Sequence, residues 1–136
     1  INLPLYTFWA PFPGLENWFR ITHTSNTGVA FGMFQNGNTI FAIFALVVSI
    51  GIIVFNHKLE PGNVLLRIAL GLQLGGAVGN LIDRVLYGWV VDFIHVWVKI
   101  GDGRWSWPDF NVADSAITVG AVLLILNEFL QKPTES

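Results

Sequence analysis

The chain has 136 residues, of which 53% are hydrophobic and only 12% charged, whereas soluble domains carry about 25% charged residues. So few charges cannot cover a soluble sphere, and the composition therefore predicts a membrane protein rather than a very apolar soluble bundle. A net charge of -2 without a basic block argues against nucleic acid, and the lack of cysteine excludes disulfides and thiol chemistry.

The first segment, residues 1–38, is neither an apolar helix nor a plain tail. Several prolines and glycines interrupt it, and its stretch WFRITHTSNTGVAFG alternates well enough for short strands. We therefore predict a small β element that lies on one face of the membrane. Lipid binding without chemistry is the simplest role for this element taken alone.

Three segments have the length and apolarity of membrane helices. They are residues 39–55, 64–82 and 114–130. The second has one charge, Arg67, near an end, where it can snorkel, and it carries a row of glycines that lets another helix approach closely. The fold class is thus mainly α, a transmembrane helix bundle with a small β element, forming a single membrane domain over 1–136.

Between these helices lie two different connections. Residues 56–63, NHKLEPGN, are short and polar and predict a plain turn. Residues 83–113 form a long loop with four tryptophans, which are typical of the headgroup zone. Positive charges lie on both sides of the predicted spans, so the positive-inside rule does not fix the orientation.

Polar residues recur at the ends of the second and third helices. Asn80, Asp83 and Arg84 follow at i, i+3 and i+4 and share one face. For Asp83 the simplest interpretation is a hydrogen-bond cluster that holds the next loop. Asn111 and Asp114 share a face in the same way, and Asp114 suits a helix N-terminus because carboxylates are stabilised there.

Two acids border the predicted bilayer among apolar neighbours, Asp92 in GWVVDFIHVW and Asp114 in FNVADSAIT. An ionisable residue at membrane depth indicates function. Two facing carboxylates cannot both ionise cheaply, so one keeps its proton, and such a pair can activate water without serine, cysteine or metal. The sequence alone does not show that they meet. Asp102 and Asp109 are expected to be solvated.

Other functions use the same residues. In a small transporter or proton-path protein, Asp92 and Asp114 would carry protons or cations. A serine–lysine peptidase would need a serine near Lys99, but Ser25, Ser106 and Ser115 do not lie in nucleophile-like contexts. The three histidines are far apart without metal-ligand spacing, so no metal and no other cofactor is expected.

Four stretches together carry a family resemblance. They are NTGVAFG (26–32), GGAVGNLIDR (75–84), VVDF (90–93) and FNVADSAITVGA (110–121), in this order. With them the chain resembles the bacterial lipoprotein signal peptidases, also called signal peptidase II, from about Leu15 to Leu130. The resemblance implies an intramembrane aspartyl protease that removes the signal peptide of prolipoproteins just before the lipid-modified cysteine.

The resemblance also assigns residues. It implies that Asp92 and Asp114 are the catalytic pair. Seven further positions match those that line or brace the site in the family: Asn26, Gly76, Asn80, Asp83, Arg84, Asn111 and Ala113.

The family further implies partners and a location. The substrate would be a signal peptide with diacylglyceryl-cysteine, the surroundings membrane lipids, and the inhibitors of the globomycin type. The site would open towards the extracytoplasmic face of the bacterial inner membrane, with residues 1–38 and 83–113 on that side. The family has four membrane helices, and this sequence begins at INLPLYTFW, which resembles the segment after the first.

Overall fold

The computed structural model describes residues 3–29 and 33–131, so part of the NTGVAFG stretch lies outside the described residues. Seven elements follow in chain order: β1 (Phe8–Trp9), β2 (Phe19–Asn26), α1 (Asn38–Lys58), α2 (Val64–Tyr87), β3 (Val90–Ile100), β4 (Gly103–Ser106) and α3 (Val112–Leu130).

Contacts divide the chain into two compact units. The first contains the described part of residues 1–41 together with Asp83–Asn111, and it holds the sheet. The second contains Ala42–Ile82 and the described residues from Val112 onward, and it holds most of the helical length.

The sheet unit is a four-stranded antiparallel sheet in the order β1-β2-β3-β4. The loop predicted over 83–113 therefore contains two strands, which pair through a hairpin at Gly101-Asp102. Alternation in VVDFIHVWVKI supports β3. The register of β2 against β3 shifts between Ile21 and Thr24, as at a β-bulge.

One of the four tryptophans predicted for the headgroup zone, Trp97, is instead buried in the sheet unit. It is only 7% exposed, and the guanidinium groups of Arg20 and Arg104 lie 4.9 and 4.4 Å from its ring centroid. Partial burial and the neighbouring Arg104 lower the pKa of Arg20, while Asp109 raises it. Trp105 and Trp107 are exposed, as interfacial tryptophans would be.

The three helices in the described residues are long and apolar enough to cross a membrane. This confirms the predicted fold class of a membrane helix bundle with a small sheet, while the single-domain assignment stays a prediction.

The second helix runs past Ile82 to Tyr87, because the first stop signal is Gly88 at φ 81°. The Gly88 N–H donates to the Arg84 carbonyl over 3.1 Å, which caps the helix.

Within the helical unit, α2 and α3 approach closely at Gly76. A Cβ at this position would lie 2.4 Å from Ile117 Cγ1 and 2.5 Å from the Ala113 carbonyl oxygen. One helix turn along, Gln73 Nε2 donates to the Ile117 carbonyl over 2.6 Å. Small residues and a polar cross-helix contact replace the hydrophobic driving force that is missing in lipid.

Arg67 closes the other end of the helical unit. Its guanidinium donates to Asn56 Oδ1 and to the Leu59 carbonyl, each over 2.9 Å. These acceptors lie at the end of α1 and in the turn, where carbonyls lack partners within the helix. The single charge of the second predicted span therefore holds the polar turn.

Candidate active site

Asp92 is buried in the middle of the sheet unit, with 4% of its surface exposed. Each carboxyl oxygen faces an amide donor: Asn111 Nδ2 is 3.3 Å from Oδ1, and Asn26 Nδ2 is 3.3 Å from Oδ2. Asn111 also donates to the Val91 carbonyl over 3.2 Å. Because two amides hold the two oxygens, the carboxyl plane is fixed.

The Asn26 amide is oriented by its own oxygen. Asn26 Oδ1 accepts from the Gly28 N–H over 2.9 Å and from Gln35 Nε2 over 3.1 Å. The nitrogen must then point the other way, towards Asp92 and the Val29 carbonyl. Gln35 was not predicted from the sequence, since no spacing rule links it to Asn26.

Asp83 and Arg84, at the end of α2, brace the main chain around Asp92. Asp83 Oδ2 accepts from the Val91 N–H over 3.0 Å, which agrees with its predicted role of holding the next segment. Arg84 is buried and donates to the Gly28 carbonyl over 2.7 Å and to Asn38 Oδ1 over 3.2 Å. These two side chains therefore fix strand β3 and the loop that follows Asn26.

The second predicted acid, Asp114, lies in the first turn of α3, as its sequence context predicts. Asn80 Nδ2 donates to Asp114 Oδ1 over 3.0 Å. Ala113 contributes the carbonyl that faces Gly76, so the close approach of α2 and α3 keeps Asn80 within reach of Asp114. Asp92 belongs to the sheet unit and Asp114 to the helical unit, and the pairing of their carboxylates stays a prediction.

One acid differs from its expected environment. Asp102 is exposed as expected, but Asp109 is only partly exposed: its side chain is 22% exposed, and Oδ1 lies 2.5 Å from His95 Nδ1. The Thr24 hydroxyl is 3.2 Å from the other oxygen of Asp109. Spacing along the chain does not predict this contact, because Thr24 is brought to β3 by the β2–β3 pairing and Asp109 by the bridge between Phe110 and Ile94.

Apolar spanning helices together with a buried carboxyl held by amides define a multi-pass membrane protein with a polar site in its sheet unit. The family model for signal peptidase (SPase) II matches residues 3–130. The chain belongs to the signal peptidase II family, and it is thus a protease rather than a transporter.

Curated relatives agree with this assignment. A lipoprotein signal peptidase of Geobacillus thermodenitrificans is 45% identical over 117 residues, covering 86% of this chain and 71% of the relative. One of Pseudomonas aeruginosa is 45% identical over 136 residues, covering 96% of this chain and 76% of the relative.

A solved structure has the same fold. It is a bacterial membrane enzyme determined by the in meso method at 2.3 Å, and it is 32% identical with a TM-score of 0.79. The match covers 98% of this chain and 79% of the solved one. The family resemblance found in the four sequence motifs is thus confirmed by sequence and by structure.

Proposed function

We propose that this protein removes the signal peptide from prolipoproteins, with Asp92 and Asp114 as an aspartic catalytic pair. Membership of the signal peptidase II family carries the substrate class. The observation that carries the chemistry is the environment of Asp92, a buried carboxyl with an amide donor on each oxygen. Such a group is positioned for reaction rather than for stability, because burying an acid is costly.

The reaction is hydrolysis of a peptide bond by water. One aspartate takes a proton from the water as it attacks the scissile carbonyl, and the other donates its proton to the carbonyl oxygen. When the tetrahedral intermediate collapses, the amine leaves with a proton from the pair. The two carboxyls share their protons as a unit, so neither role belongs to one aspartate alone.

The surrounding amides act on the orientation of the acids. Asn26 and Asn111 hold Asp92, and Asn80 holds one oxygen of Asp114. Each amide donates through nitrogen and therefore fixes the direction in which its carboxyl oxygen points. The mechanism requires one proton between the two carboxyls, since one acts as base while the other acts as acid.

The substrate proposal goes further than the family match. The signal helix enters sideways from the lipid, the diacylglyceryl chains of the modified cysteine stay in the bilayer, and cleavage occurs just before this cysteine. Inhibitors of the globomycin type would occupy the same site. The site opens to the extracytoplasmic side of the inner membrane, where prolipoproteins carry their lipid.

The test is replacement of each acid by its amide. Asp92→Asn and Asp114→Asn should each lower cleavage of a diacylglyceryl-modified prolipoprotein by at least about 10²-fold, because the acid–base step is lost. The measurement is the rate of conversion to the mature size in lipid, with thermal unfolding as the check on folding. Asp102→Asn is the matched control, since Asp102 is exposed in the β3–β4 turn, and it should keep full activity.

Near-normal turnover in either amide variant would overturn the aspartic pair.

A further inference from the structure

The residue behind Asp92 on the neighbouring strand is Thr24. It lies directly opposite Asp92 in the β2–β3 register, immediately after the register shift. Its Oγ1 is 3.1 Å from the Asp92 carbonyl oxygen, so a side chain donates to the main chain where the ladder is irregular. The hydroxyl thus holds the backbone of Asp92, while Asn26 and Asn111 hold its carboxyl.

The same hydroxyl has a second acceptor. Asp109 Oδ2 lies 3.2 Å from Thr24 Oγ1, so one proton serves two oxygens. A carboxylate accepts more strongly than a carbonyl. The position of Asp109 therefore determines the direction in which the Thr24 hydroxyl points. Asp109 precedes Phe110, whose N–H donates to the Ile94 carbonyl over 3.1 Å, so its main chain is anchored to β3.

His95 fixes the side chain of Asp109. Its Nδ1 is 2.5 Å from Asp109 Oδ1, and its ring lies 5.2 Å from the ring of Trp97. Within the described residues, Nε2 of His95 is buried and has no hydrogen-bond partner. The hydrogen bond of the His95 ring within the described residues is therefore the one that Nδ1 makes with Asp109.

We propose that Thr24 is a positioning residue for Asp92 and that the Asp109–His95 pair holds Thr24 in place. The inference rests on the proposed function, because it takes Asp92 as catalytic. The chain of contacts runs from His95 to Asp109, then to Thr24, and ends on the main chain of Asp92. These contacts help to determine the direction in which the Asp92 carboxyl points. A small misplacement of a reacting group slows the chemical step.

The sharpest test replaces the hydroxyl without changing the shape. Thr24→Val should lower kcat for prolipoprotein cleavage roughly 3- to 10-fold, the weight of one hydrogen bond, while KM stays unchanged. Thr24→Ser restores the hydroxyl and should recover most of kcat. Thr22→Val is the matched control on the same strand, since the Thr22 hydroxyl donates to the Thr7 carbonyl, away from Asp92.

A double-mutant cycle tests the link to Asp109. Asp109→Leu removes the second acceptor of Thr24 and should also lower kcat. Because both changes act on one path, the variant with both should be no slower than the slower single one. Effects that multiply would overturn the role of Asp109. If Asp109→Leu does not fold, the comparison of Thr24→Val, Thr24→Ser and Thr22→Val still decides the role of Thr24.

Asp92→Asn separates the two proposals. If this variant keeps turnover, the catalytic assignment fails whatever Thr24 does. If it is inactive while Thr24→Val equals Thr22→Val in kcat, the positioning role alone is overturned. A Thr24→Ser variant as slow as Thr24→Val would also overturn it, since the loss would then come from packing rather than from the hydroxyl.

Discussion

Arg84 shows at the residue scale why a charged side chain stays inside the sheet unit. Its guanidinium reaches the carbonyls of Thr27 and Gly28 and the side chain of Asn38, and Asn38 in turn donates to the Arg84 carbonyl. The planar fork of arginine suits several acceptors at fixed angles, which the point charge of lysine does not. The guanidinium therefore supplies donors to the carbonyls of Thr27 and Gly28.

Removal of this fork should destabilise the protein. Arg84→Met leaves the buried carbonyl of Gly28 without its donor, and we expect a loss of roughly 2–4 kcal/mol in unfolding free energy. Thermal unfolding in detergent measures the effect. Arg104→Met is the control, because Arg104 is exposed and its guanidinium lies over the Trp97 ring. Equal stability of the two variants would contradict the role assigned to Arg84.

At this scale the sequence predicts residues that lie together in one short motif, but not contacts between residues that are distant in the chain. Asp92, Asp114 and Asp83 stand in recognisable stretches, so their positions were found from spacing and motif. The partners Gln35 and Thr24 could not be found, because strand register and loop shape decide which polar atoms meet. The partner of Asp109 could not be found for the same reason: its context in the sequence is a polar turn, and His95 approaches it from strand β3.

At the scale of the element, α2 combines close packing with polar function. Its glycines are not equivalent, although they form one row in the sequence. Gly76 faces Ile117 and Ala113 so closely that a methyl group finds no room, whereas a Cβ at Gly75 meets no atom within 4 Å. Only one of two adjacent glycines is therefore required for the approach of α3.

This difference gives a matched pair of substitutions. Gly76→Ala should cost about 1–3 kcal/mol, since the carbonyl of Ala113 is backbone and cannot move aside cheaply. It should also lower activity, because Asn80 and Asp114 are held by the same contact. Gly75→Ala should be neutral or slightly stabilising, as alanine favours a helix. Thermal unfolding and cleavage rate measure both, and similar losses in the two would refute the assigned packing.

The ends of the elements were harder to predict than their existence. Apolar runs indicated all three helices, but α2 extends over Asp83 and Arg84 because only Gly88 stops it. The sequence predicts a loop where β3 and β4 lie, since tryptophans and a polar turn are a stronger signal than the alternation of apolar residues.

At the scale of the whole molecule, the absence of cysteine from the sequence makes membrane topology directly measurable. If α1 and α2 each cross the bilayer once, the turn between them and the β3–β4 turn face opposite sides. Glu60→Cys and Asp102→Cys place single thiols at exposed positions in these turns. An impermeant maleimide added outside intact spheroplasts should label only Asp102→Cys, and labelling of both would contradict the proposed topology.

The hydrogen-bonded contacts that join Thr24, Asp109 and His95 constrain how these positions can change in evolution. A half-buried carboxylate at position 109 without Thr24 and His95 would lack a donor, and the His95 imidazole without Asp109 would lose the partner of its Nδ1. Across the family we expect these three positions to covary, with the polar set kept or replaced together by apolar residues. Substitutions at these three positions near Asp92 would thus occur together, and an alignment of relatives can test this.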